Sequence, residues 1–241
     1  MKNTMEKSWL FAIAIFLMFG LSSGCTFAGK IKGNGNVVTQ ERQVRGFNSI
    51  QVGGAFKVIL TQGQEEYLQL ELEENLMDKV ITEVVGGELK IYTKDNINAK
   101  SDMIVRITFK NLEELDISGA CDVSSANTFK LGELELEASG ASEIDLEMTL
   151  EKLECNCSGA SNVDLKGNAL SMDLDLSGAS NIDALEFEVE VADIEVSGAA
   201  DAKIFASKKL NAGVSGAASI RYKGTPAINT DISGAGSIKQ Y

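Results

Sequence analysis

One tripeptide recurs seven times in the second half of this chain, and it limits what the chain can fold into. Ser-Gly-Ala begins at Ser118, Ser139, Ser158, Ser177, Ser197, Ser215 and Ser233. Its glycines, Gly119, Gly140, Gly159, Gly178, Gly198, Gly216 and Gly234, therefore lie 21, 19, 19, 20, 18 and 18 residues apart. Each interval is too short for a folded domain, so each is read as one coil of a repeating stack.

Aligning the copies on the glycine exposes strand alternation: even offsets are apolar or small, and the odd offsets nearby are mostly polar. Four residues before the glycine stand Leu115, Leu136, Cys155, Leu174, Ile194, Ala212 and Thr230; two before it stand Ile117, Ala138, Cys157, Leu176, Val196, Val214 and Ile232. Two after it come Cys121, Ser142, Ser161, Ser180, Ala200, Ala218 and Gly236, and four after it Val123, Ile144, Val163, Ile182, Ala202, Ile220 and Ile238. These columns are expected to point inward. Three before the glycine, Asp116, Glu137, Asn156, Asp175, Glu195, Gly213 and Asp231 belong in water, which makes the outer face acidic.

Stacked identical corners repeat every ~4.8 Å, and only small residues let neighbouring backbones turn sharply in register. Parallel strands joined by short corners make an all-β fold, a right-handed parallel β-helix of about seven coils, the hand being the strong default for parallel crossovers. A helical reading fails, because Asp, Asn, Ser and Gly are dense and no 3.6-residue period is sustained between Leu112 and Tyr241.

The start of the chain, residues 1–24, reads as an export signal: Lys2 and Lys7, then an apolar run from Trp9 to Phe19, then Leu21-Ser22-Ser23-Gly24 before Cys25. Such a run is too short for a permanent span. Small residues before the cysteine resemble a bacterial lipobox, in which Cys25 becomes the lipidated first residue; an ordinary cleaved signal with Cys25 incidental is the alternative. Residues 25–36, with Gly29, Gly33 and Gly35 among lysines and asparagines, are expected to form a lipidated N-terminus and flexible tether.

Residues 37–241 are expected to form one domain, less regular over 37–111 and regular over 112–241. Strands are expected at 37–44, 47–52, 56–61, 67–73, 88–93 and 103–109, and one short helix at 74–80, where Leu76, Met77 and Val80 share a face. Ile50, Val52, Phe56 and Val58 sit at the even offsets around Gly54, which reads as a degenerate eighth copy. The irregular half is expected to cap the solenoid.

Several segments in combination resemble one family. They are Arg45-Gly46-Phe47-Asn48-Ser49-Ile50, Gly53-Gly54-Ala55-Phe56-Lys57-Val58, Gln62-Gly63, the segment from Glu73 to Leu76, Gly86-Gly87-Glu88-Leu89-Lys90-Ile91 and the Ser-Gly-Ala coils. Together they are similar to the putative auto-transporter adhesin head GIN domain proteins, common as lipoproteins of Bacteroidota. The resemblance implies a β-helical surface domain, and it brings no catalytic residue.

The chemistry the residues allow is narrow. The formal net charge of −13 becomes −14 once Lys2, Lys7 and Glu6 leave with the signal, which makes nucleic acid an unsuitable partner. The chain has no histidine, so a Ser-His-Asp triad, a histidine-ligated zinc and a histidine base are excluded. Cys121, Cys155 and Cys157 all fall in inward columns and read as small buried residues; Cys155 and Cys157 project in parallel from one strand, a poor geometry for a disulfide. No cofactor is expected. The exception is a possible calcium site at Asp145, Asp164 and Asp183, whose stacked charges repel unless neutralised; the same carboxylates also serve as a solvated face. The serines Ser118 to Ser233 could present a hydroxyl lattice to ice or glycan, or bond locally at the corners.

Three functions fit: a cell-envelope lipoprotein that binds a surface glycan or envelope protein without catalysis, a carbohydrate-active β-helix enzyme, or a structural envelope protein. The first is favoured, at the outer membrane and held there by lipid. A cleft with two converging carboxylates would favour the second; a flat, unbroken face would favour the others.

Overall fold

Alternating side chains need a partner layer on the apolar side, and in this computed structural model, which describes residues 30–241, each coil supplies it for the next. Strands Glu143–Cys157, Asn162–Leu176, Asn181–Val196 and Asp201–Gly216 each run from one corner to the following one and pair in parallel with their neighbours. The register is the glycine alignment itself: Ile144 pairs with Val163, Val163 with Ile182, and Ile182 with Ala202. Unequal coil lengths are absorbed as irregularities, between Asp164 and Lys166 and again between Ala184 and Glu188, so the inward columns stay in phase.

At the corners the chain takes a left-handed turn that glycine alone makes cheaply. From Gly159 onward these glycines have φ between +76° and +97°, and a Cβ on any of them would lie 2.5–2.8 Å from the carbonyl oxygen of the glycine one coil below. That carbonyl is also the acceptor that holds the stack. Ala160 N–H donates to Gly140 O at 2.7 Å, Ala179 N–H to Gly159 O at 2.8 Å, and Ala199 N–H to Gly178 O at 2.8 Å.

The inward columns are buried from Leu115 through Val214, each large aliphatic side chain contributing ~1.5–3 kcal/mol relative to exposure. Phe109 and Phe129 meet edge to face, 5.0 Å between centroids, where the irregular half joins the coils. Two expectations need correcting. In the seventh copy Thr230 and Ile232 are exposed, because no coil lies beyond them to cover their side chains. In the acidic column Gly213 is buried, since the Glu195 carboxylate lies over the space its missing side chain leaves.

The degenerate copy is a true coil. Strand Ser49–Gly54 pairs with Glu114–Gly119, setting Gly54 beside Gly119, and Lys57–Gln62 pairs with Asp122–Ser125. Beneath it the spatial order departs from chain order: Glu88–Thr93 and Ile104–Phe109 add in parallel to the far side of Ser49–Gly54 and Lys57–Gln62. Antiparallel strands then close this end, Val80–Val85 on Glu88–Thr93, Tyr67–Glu73 on Ile104–Phe109, and Val37–Arg42 outermost. The expected helix is a single 3₁₀ segment, Glu74–Lys79, which buries Leu76 and Met77; Val80 is already extended and begins a strand that periodicity missed. The Arg42 guanidinium fastens this lid, donating to Val80 O at 2.7 Å and Met77 O at 2.8 Å.

Of the tether expected over residues 25–36, residues 31–36 are instead held in place: Ile31–Lys32 pairs with Ile97–Asn98, and Asn36 O accepts from the Glu74 N–H of the lid. Glu73, 1% exposed, accepts from the Gly35 and Lys100 N–H groups, and Asn75 donates to Lys32 O at 2.8 Å. A buried carboxylate needs such donors. Glu73→Ala, which leaves two N–H groups without acceptors, is expected to cost ~2–4 kcal/mol. Hydrogen exchange should show it first, protection falling over residues 31–36 and 97–100 while Glu143–Cys157 stays protected; unchanged protection of the two segments would count against this anchoring role. The export signal and Cys25 lie outside the described residues. Among the described residues no helix is long and apolar enough to cross a membrane.

Candidate functional site

The corner gives every coil two outer surfaces, one on the strand entering it and one on the strand leaving it. They differ in charge balance. On the entering side Glu114, Glu135, Glu154, Asp173 and Asp193 stack in one column, and Asp116, Glu137, Asn156, Asp175 and Glu195 in the next. Lys152 bridges Glu154 at 3.3 Å and Asp173 at 3.2 Å. Partial burial and then the charges of Asp116, Glu135, Glu114 and Glu154 push the Glu137 carboxyl above its ordinary range. Such a surface repels polyanions.

The leaving side is more balanced. Asp145, Asp164 and Asp183 are in register in successive coils, as the spacing predicts. Lysines sit among them: Lys166 Nζ lies 3.3 Å from Asp145 and Lys203 Nζ 2.7 Å from Asp183. Burial works to raise the Asp183 carboxyl, but Lys203 and the Leu185 N–H outweigh it and hold the group below its usual range. The repulsion that calcium would relieve is already reduced by these ammonium groups, and among the described residues no three Asp, Glu or Cys side chains are placed to hold a metal ion. Lys203 stood in this column in the sequence; Lys166 gave no signal, because it reaches diagonally to Asp145 from the coil above.

Across the same surface runs a polar row, Glu143, Asn162, Asn181 and Asp201, with Val163, Ile182 and Ala202 as the floor between it and the Asp column. The polar row, with Asp164, Asp183 and Lys203, lines a shallow open concavity of about 390 Å³. Asn181 Nδ2 donates to Asn162 Oδ1 at 2.9 Å, and Ser219 donates to the Asp201 carboxylate. Only four residues separate Cys157 from Asn162, Leu176 from Asn181, and Val196 from Asp201, so no inserted loop walls a cleft here.

The serines bond locally where they bond at all. Ser118, Ser177 and Ser197 hydroxyls donate at 3.3–3.4 Å to carbonyls of the coil below, and Ser142 and Ser161 donate back to Ser139 O and Ser158 O. The three described cysteines are buried. The Cys155 and Cys157 thiols share a hydrogen bond, sulfurs 3.6 Å apart with no disulfide between them, and that bond together with burial pushes Cys155 well above the ordinary thiol range. Cys121 is raised by burial as well. Neither is an activated nucleophile.

A family model described as putative auto-transporter adhesin, head GIN domain, matches residues 46–226. The chain belongs to this family. Among solved structures, a putative adhesin from Bacteroides fragilis is 26% identical, with a TM-score of 0.82 over 88% of this chain and 100% of its own. A putative adhesin from Parabacteroides merdae superposes with a TM-score of 0.72 at 24% identity, over 89% of this chain and all of that one. A structure titled putative lipid binding protein, from Parabacteroides distasonis, gives 0.73 at 24% identity, over 88% of this chain and all of that one. A comparison with curated proteins gives no match. This head GIN domain therefore shares its fold with these structures over 88–89% of the chain, and the family places the protein at the cell envelope or surface.

Proposed function

We propose that this head GIN domain is a non-catalytic binding module of the cell envelope, held at the outer membrane by lipid on Cys25 and engaging a surface glycan or envelope protein through the leaving side of its coils. The observation that carries the reading is the row Glu143, Asn162, Asn181 and Asp201. It offers carboxylate and amide groups at one repeat spacing across successive coils, beside Asp145, Asp164 and Asp183 with their lysines. A flat array of this kind suits weak contacts repeated along an extended ligand, and many anchored copies multiply them. Catalysis needs a group that exchanges a proton near neutral pH, and the carboxylates here are solvated while the thiols are buried.

The test is a panel of surface polysaccharides and envelope extracts presented to the immobilised protein. Saturable binding should weaken about tenfold in an Asn162→Ala, Asn181→Ala variant whose melting temperature is nearly unchanged. Release of reducing ends or unsaturated products, abolished by one Asp or Glu substitution, would establish the enzyme instead. For the anchor, mass spectrometry of the mature N-terminus should find diacylglycerol on Cys25, and an unmodified N-terminus elsewhere would remove it.

A further inference from the structure

The two ends of the stack are finished differently. The end beneath Ser49–Gly54 is closed by the chain itself, with a 3₁₀ segment over the core and charged side chains such as Glu41, Arg42 and Glu83 on its outer strands. Such charges discourage further strand pairing. At the other end, strand Ala227–Gly234 pairs with Asp201–Gly216 on one side, and Ser237–Gln240 pairs with Ser219–Lys223; among the described residues nothing pairs with their outer edges. The inward column continues into this last coil without cover, Ile228 being 44% and Ile232 48% exposed. An open edge with core side chains showing is a template for another strand.

The sequence of that edge is self-complementary. Ile228-Asn229-Thr230-Asp231-Ile232 read backwards gives apolar, polar, Thr, polar, apolar in the same places. An antiparallel pairing of two copies about Thr230 sets Ile228 opposite the other Ile232 on the inward side and Asn229 opposite the other Asp231 on the outward side. Apolar side chains then meet apolar ones, and each carboxylate meets an amide. A slip that centres the pairing on Asp231 would set that carboxylate against itself.

We propose that a second copy of this chain docks on the open end, two-fold symmetric, with Ala227–Gly234 paired antiparallel to itself about Thr230 and the two cores joined. Such an interface is isologous and closes at two copies. Its area, an eight-residue strand length by two sheets, is on the order of 500 Å² per copy, below the ~800 Å² of a standard interface, so the association is weak and reversible. Each chain carries a formal charge of −13, and screening by salt favours the pair.

The test uses the full chain with Cys25→Ser, which removes the lipid, in sedimentation experiments from about 1 to 500 µM protein at about 0.15 and 0.5 M salt. The expected result is a monomer–dimer equilibrium, with more dimer at the higher salt and none larger. Ile232→Lys should weaken it about tenfold or more, and because Ile232 is already half-exposed the variant should keep its melting temperature. Thr230→Cys reads the register: on the two-fold axis it should cross-link to its own copy on oxidation, whereas Ile228→Cys, displaced along the strand, should not. A monomer throughout, a dimer indifferent to Ile232→Lys, growth into fibres, or cross-linking through Ile228→Cys would each overturn the proposal.

Discussion

Val163→Asp should destabilise the domain by several kcal/mol, whereas its neighbour Asn162→Asp should change stability by roughly 0.5 kcal/mol or less. Val163 is 1% exposed and stacked between Ile144 and Ile182, both buried, so an aspartate there loses the burial of the valine and places a charge where no donor waits. Asn162 points outward, and its Oδ1 accepts from Asn181, a role a carboxylate oxygen fills equally well. In a domain of this size the first change should lower the melting temperature by about 10 °C or more and the second by little. Equal effects would mean that the coil register is wrong.

The corner should be almost as intolerant. Gly159→Ala combines two costs: φ is +82°, and the new Cβ would lie 2.5 Å from Gly140 O and 3.0 Å from Gly140 N. The oxygen cannot retreat freely, because it accepts the Ala160 N–H that links the coils. We expect a loss of ~3 kcal/mol or more, about 1 of it from the left-handed backbone. Two controls separate the contributions. Gly86→Ala carries only the conformational cost, since φ is +64° with no atom within 4 Å of the added carbon, and Gly132→Ala, in open space, should be nearly neutral. Denaturant midpoints of the three variants give the order directly. If Gly159→Ala costs no more than Gly86→Ala, close approach of the backbones does not limit the corner.

Seven tripeptides and an alternation of period two were enough to place Val163 and Ile182 in the core, Gly159 and Gly178 at the corners, and Gly54 at the head of a further coil. In a solenoid each coil touches only its neighbours, so one register repeated along the chain is the tertiary structure, and the glycine spacing states that register. The stacking of Asp145, Asp164 and Asp183 was legible for the same reason. Lys203 stood in the same column, yet its pairing was not legible, because an outward side chain looks the same in sequence whether it is paired or solvated; Lys166 gave no sign at all, since it reaches Asp145 diagonally from outside the column. Nor did alternation give the order of the irregular half, where Glu88–Thr93 and Ile104–Phe109 slip beneath strands that precede them and antiparallel strands shut the end. Pairing between segments far apart in the chain leaves no period to read. Glu73 stands at the end of a strand as one carboxylate among many in this chain, and only the fold makes it the buried acceptor that ties down the chain before Val37. The last copy repeats the inward pattern of the others, yet Ile228 and Ile232 face solvent, because a side chain is buried by what stacks upon it and that is settled in three dimensions alone.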